Sequence, residues 1–176
     1  MSTNPSRALV IAVLAMAPAL LPAMTPEASA QPADTVEAAR AALDELYKGD
    51  YRRAFVEKKP ELFGRHIAPE LQYSSYDGST ATAEQLKQFV AGRIARIERV
   101  LEHNVSIEHV ELDDAGRIVA VVTLTTVLDV RSPTDRIYRE ISVGTYRDTF
   151  VQQPDDTLLE VRAQLLRSHT TTAIKP

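Results

Sequence analysis

Arg117-Ile-Val-Ala-Val-Val-Thr-Leu-Thr-Thr-Val-Leu-Asp-Val-Arg131 is the stretch that decides the fold. It holds no Gly or Pro, is rich in β-branched residues and is apolar on both alternating faces for most of its length. That pattern reads as a long strand in the middle of a sheet, buried on at least one side. A second long run, 137–152, returns after Ser132-Pro133-Thr134-Asp135, and a third, 158–171, follows Pro154-Asp155-Asp156-Thr157. Both tetrads are turn formers, so the three runs predict an antiparallel meander. Upstream, 104–113 reads as a further strand, closed onto the central one by Asp113-Asp114-Ala115-Gly116.

The N-terminal part supplies the cover. Asp34 with Glu37 fits a capping box opening a helix that runs to about Lys58, with Val36, Ala39, Leu43, Leu46 and Tyr47 on its buried stripe. Gly49-Asp50 weakens its middle and predicts a kink there. Pro60 opens a short second helix over 61–66. Leu71–Tyr76 alternates as a strand and turns at Asp77-Gly78. Thr82 with Gln85 forms another capping box, starting a third helix to roughly Glu98 with Leu86, Phe89, Val90, Ile94 and Ile97 inward. Two strands change face midway, Val105/Ile107 against Val110/Leu112 and Ile141/Val143 against Tyr146/Phe150. A β-bulge in each is the expected cause, bending the sheet into a cone.

Residues 1–30 read as a secretory leader: Arg7, an apolar run from Ala8, the breakers Pro18 and Pro22, and the small-residue site Ala28-Ser29-Ala30. The apolar run is shorter than the roughly 20 residues a membrane-spanning helix needs. The expectation is a soluble product, periplasmic or extracellular after cleavage near Ala30, without stable membrane insertion. Residues 31–34 read as a short disordered lead, and 35–172 as one domain. The formal net charge of −4 is the same before and after cleavage, since the leader carries one Arg and one Glu. A mildly acidic chain without a basic block is a poor nucleic-acid binder. Arg93, Arg96 and Arg99 read as the solvated side of a helix. With no Cys there is no disulfide, thiolate nucleophile or Cys-based metal site.

The order helix, short helix, strand, Asp-Gly turn, helix and four-strand meander resembles the nuclear-transport-factor-2-like superfamily, the SnoaL-like or cystatin-like cone fold. The likeness rests mainly on Ile67-Ala-Pro-Glu-Leu-Gln-Tyr-Ser-Ser-Tyr-Asp-Gly78 and Gly144-Thr-Tyr-Arg-Asp-Thr-Phe-Val151. It implies an α+β fold with a strongly bent antiparallel sheet wrapped around N-terminal helices and a cavity in the cone. The superfamily includes isomerases, dehydratases and many non-enzymes, so the fold alone does not give the activity. The catalytic Asp of the similar isomerases would fall near Ser75, which cannot serve as a base. The Gly-Trp pair that opens the family's last strand is replaced here by Thr157-Leu158-Leu159.

Tyr146 and Asp148 share one strand face, and Arg167 and His169 share another at the polar end of the last strand. With Tyr73 on the first strand they are the candidate lining of a pocket. The plainer reading makes Tyr146 and Asp148 structural, with Asp148 bonded to a neighbouring Arg, and His169 and Arg167 a solvated strand end. The approximate register makes a direct Asp148–His169 dyad unsupported. His66 reads as a helix C-terminal cap. His103 and His109 are a weak metal signal, and no metal or cofactor motif is present. The expectation is an exported protein that binds a small apolar or amphipathic molecule, or a partner protein, without catalysis. The alternatives are a lyase or isomerase on a hydrophobic substrate, or a module forming a homodimer through the outer sheet face. An exposed apolar patch containing Val119, Val121 and Val127 would favour the homodimer.

Overall fold

The computed structural model of the protein describes residues 35–174. The leader and the lead over 31–34 lie outside the described residues. Helix α1, Val36–Leu46, is capped by Thr35, whose Oγ1 accepts from the Ala38 N–H at 3.1 Å; Thr35 therefore caps this helix at the position before Val36. The expected kink at Gly49 is a π-helical turn, Tyr47–Tyr51, which leads directly into α2, Arg52–Val56. The wider turn carries Tyr51 into the core after Tyr47, while Arg52 and Arg53 stay outside. A short α3 spans Pro60–Gly64.

Strand β1, Ile67–Ser74, begins earlier than its sequence pattern indicates and includes Pro69. A three-residue β2, Thr80–Thr82, pairs back onto it across the Asp77-Gly78 turn, where Gly78 has φ 84°. The capping box of α4, Ala83–Ala95, is formed by both Thr82 and Gln85. That helix stops three residues short of Glu98. Ile97 already belongs to β3, Ile97–Leu112, followed by β4 (Ile118–Arg131), β5 (Ile137–Gln152) and β6 (Leu158–Ile174).

The six strands form one sheet in the order β2-β1-β6-β5-β4-β3, antiparallel except where β1 lies parallel to β6. The expected bulge in β3 is present between Ile107 and His109. The one expected in β5 is not. β5 pairs with β4 in unbroken register, so its even-numbered residues face inward throughout and Ile141, 45% exposed, faces out. The bending falls instead on β6, which carries an extra residue at Val161 and at Leu166 relative to β5.

The inner sheet face packs on the helices in three apolar clusters, the smallest made by Ile67, Leu71, Ala83 and Ala163. Of the other two, Leu43, Tyr47, Ile118, Val122 and Phe150 form one; Ala54, Val90, Ile94, Ile97 and Leu128 form the second. On the outer face Val119 is buried and Val121 and Val127 are half-buried, so the three do not make an exposed apolar patch. A depression of about 600 Å³ on that face is lined by charges, among them the paired Arg117–Asp113 and Arg147–Glu111.

Candidate functional site

The cone encloses a cavity of about 300 Å³ between the helices and the inner sheet face. Its walls are mostly apolar and aromatic, with Phe55, Phe63, Val122, Leu124 and Leu165 among them. Phe89, Ser168 and Thr170 line it and are exposed, which places the mouth between α4 and the far part of β6. Arg93 also lines it and is ion-paired with Glu140.

The opposite end is closed by two buried carboxyl groups. Asp148 of β5 and Glu160 of β6 are each 5% exposed. The Tyr47 hydroxyl donates to Asp148 Oδ2 at 2.7 Å, and the Tyr51 hydroxyl donates to Glu160 Oε2 at 2.9 Å. The two tyrosines are one π turn apart, so a single widened turn of backbone aims both hydroxyls at neighbouring strands. The two carboxyls are also within hydrogen-bonding reach of each other. Asp148 Oδ1 is buried and accepts no bond from any N–H or hydroxyl group.

Burial disfavours charge on both groups, and it is the largest cause of their shifts. It pushes Asp148 up to about 7, against the lowering effect of its bonds to Tyr47 and Glu160. Burial, and then the Asp148 charge, pushes Glu160 well above the glutamate range. The pair therefore retains a proton at neutral pH. Burial and the adjacent carboxyls also raise Tyr47 and Tyr51, which remain hydrogen-bond donors.

His66 holds this end from behind. Its carbonyl accepts from the Glu160 N–H at 2.7 Å, and its Nδ1 donates to the Leu158 carbonyl at 2.9 Å. Its Nε2 lies 2.8 Å from Oδ2 of Asp50, which sits inside the π turn. His66 is thus a buried link between β6 and the tyrosine-bearing turn, not the helix C-terminal cap expected from its position.

Tyr73, Tyr146 and Asp148 line the cavity. The Tyr146 ring lies across Gly144, where an added Cβ would meet its Cε2 at 2.8 Å; burial pushes its hydroxyl up to about 12. Asp148 accepts from Tyr47 and lies beside Glu160 rather than pairing with Arg147 or Arg162. Arg167 and His169 are not in the cavity lining. Arg167 donates from Nε to Thr145 Oγ1 at 3.0 Å, and His169 pairs with Val143; both partners are odd-numbered residues of the outer face. The bulge at Leu166 shifts β6 by one residue and reverses which side chains face in.

The residues missed in the sequence are Tyr47 and Tyr51 as hydroxyl donors, Glu160, and His103. An acidic residue inside the apolar run Leu158-Leu159-Glu160-Val161 was a legible signal. His103 packs against Phe55 at 5.3 Å and lines the cavity, with both ring nitrogens buried and unpartnered. Burial, and then Arg52, lowers its pKa and disfavours charge on the ring. His109 lies outside, 3.2 Å from Glu111. Among the described residues no group of three or more His, Cys, Asp or Glu is placed to hold a metal ion.

No family model matches the chain, and no curated protein matches its sequence. Its structure is similar to several solved ones. A candidate scytalone dehydratase from Novosphingobium aromaticivorans superposes with a TM-score of 0.60 at 18% identity, over 78% of this chain and 87% of that one. The hexachlorocyclohexane dehydrochlorinase LinA-type3 from Novosphingobium barchaimii gives 0.57 at 14% identity, over 80% and 97%. A nuclear-transport-factor-2-like protein from Cytophaga hutchinsonii gives 0.53 at 12% identity, over 72% and 95%. At these identities the likeness concerns architecture: an open, strongly curved sheet wrapped on N-terminal helices, the cone fold of the nuclear-transport-factor-2-like proteins.

Proposed function

We propose that the protein binds a small amphipathic molecule inside the cone, apolar body against the aromatic walls and polar group against the Asp148–Glu160 pair. One observation carries this reading: an aromatic cavity ends in two buried carboxyls, and one oxygen there, Asp148 Oδ1, accepts no bond from any N–H or hydroxyl group of the described residues. Pockets that orient a ligand combine apolar walls with a few convergent polar groups. The test is a titration of one- and two-ring probes that differ in their polar group, followed by the ring signals of Tyr146 and Phe55. Binding is expected to weaken several-fold in Tyr146→Phe and in Asp148→Asn. Affinities unchanged in both variants would place the ligand outside the cone and refute the reading.

A second reading, acid–base catalysis of the lyase or isomerase type, is favoured by Asp148, pushed up to about 7, beside a Glu160 that burial also raises. Two adjacent carboxyls that together hold a proton near neutral pH are suited to act as base and acid. Asp148 would take a proton from carbon while a neighbouring O–H donates to the oxygen that gains charge. Exchange of the α-hydrogens of 2-tetralone in D2O reports this step. A ketone that occupies the cavity yet exchanges no faster than in buffer leaves binding alone.

A further inference from the structure

The closed end of the cavity contains a potential counter-charge that no cationic group among the described residues neutralises. Asp148 and Glu160 each accept from a tyrosine hydroxyl and lie within hydrogen-bonding reach of each other. Among the described residues no Lys, Arg or His hydrogen-bonds or ion-pairs with either. Of the basic side chains lining the cavity, Arg93 is held by Glu140, and burial disfavours charge on the His103 ring. A buried carboxylate with no cationic partner is costly, and the pair avoids that cost by keeping a proton. Any occupant that brings a positive charge removes the reason for keeping it.

The walls suit such an occupant. Tyr47, Tyr51, Phe63, Tyr73 and Tyr146 all line the cavity, and Tyr51 lies 4.8 Å from Phe63. The faces of aromatic rings attract cations, most strongly where water is excluded. An anionic ligand would meet the carboxyls, with no unpaired Lys or Arg among the described lining residues to receive it. A neutral ligand could bond to the pair but would leave it protonated.

We propose that the ligand of this cavity is an organic cation, an amine or quaternary ammonium on an apolar body of one or two rings. It takes the place of the proton that Asp148 and Glu160 share. The inference rests on the reading of the cone as a ligand site and names the class of ligand. The exchange balances without a co-reactant: the cation enters, one carboxyl ionises, and its proton leaves to solvent.

The experiment is calorimetric titration of the purified protein with benzyltrimethylammonium, benzyl alcohol and benzoate. Each is run at pH 6 and pH 8 in two buffers of different ionisation enthalpy. The ammonium is expected to bind, to release about one proton at pH 6, and to gain up to about tenfold in affinity per pH unit below 7, as linkage of one proton requires. Benzoate is expected not to bind. Proton release is measured on the native protein, so the result does not depend on a variant folding; Asp148→Asn and Glu160→Gln are each expected to lower both affinity and proton release. If benzyl alcohol binds as tightly as the ammonium and no proton is released, the cation proposal is overturned while the cavity reading stands. If none of these probes or the one- and two-ring panel binds, both fall together.

Discussion

Replacing Asp148 with Asn tests the electrostatics of the closed end through stability alone, with no ligand required. The amide has the shape of the carboxyl, can accept from Tyr47 and can donate to Glu160. In the unfolded chain both carboxyls ionise near 4. In the folded protein both are raised, Asp148 to about 7 and Glu160 well above its ordinary range. Between about pH 5 and 7 the folded state therefore holds more protons than the unfolded one. Its stability falls as pH rises through that window, by about 1.4 kcal/mol per pH unit for each proton retained. Asn removes one of the two titrations. From pH 5 to 7 the native protein should lose about 2 kcal/mol more than the variant, the slope falling off as Asp148 itself ionises near 7. His103, lowered by burial and Arg52, acts in the opposite sense but is common to both proteins and cancels in the difference. Urea denaturation at pH 5, 6 and 7 measures the two slopes. A difference below about half a kcal/mol, the range of ordinary surface substitutions, would mean that the pair is ionised in the folded protein and would refute the argument.

Three other outcomes follow from the packing and the leader. Leu128→Ala, at a fully buried site, should cost about 2–5 kcal/mol, whereas Leu124→Ala, half-buried and lining the cavity, should cost less, because its space is already partly empty; equal losses in denaturant melts would contradict the cavity. Gly144→Ala places a methyl 2.8 Å from the Tyr146 ring and should displace it, seen as a shift of the Tyr146 ring signals with a loss of about 1–3 kcal/mol; an unmoved ring would rule out the close approach. Exported protein should begin at Gln31, and an intact mass that retains Met1 to Ala30 would end the export assignment.

Local chemistry made much of the architecture legible. The β-branched run 117–131 had to be a strand, and the capping box at Thr82 and the Asp-Gly turn fixed their elements, because each depends on residues close in sequence. Tyr73, Tyr146 and Asp148 could be placed on plausible lining faces from period-two alternation alone. Ile97 was misplaced in a helix, since an apolar residue at a helix end and one at a strand start look alike.

What the sequence could not specify was which distant groups meet and which way the last strand faces. Tyr47 and Asp148 are 101 residues apart, and Tyr51 and Glu160 are 109 apart. Their contact exists because a π turn rotates the first helix by one residue and a parallel β1–β6 pairing brings Glu160 against His66. A single extra residue at Leu166 turned Arg167 and His169 outward. The composition of the strands set the apolar interior, but the pairing register decided which polar side chains share it, because one residue of slip exchanges the two faces of a strand.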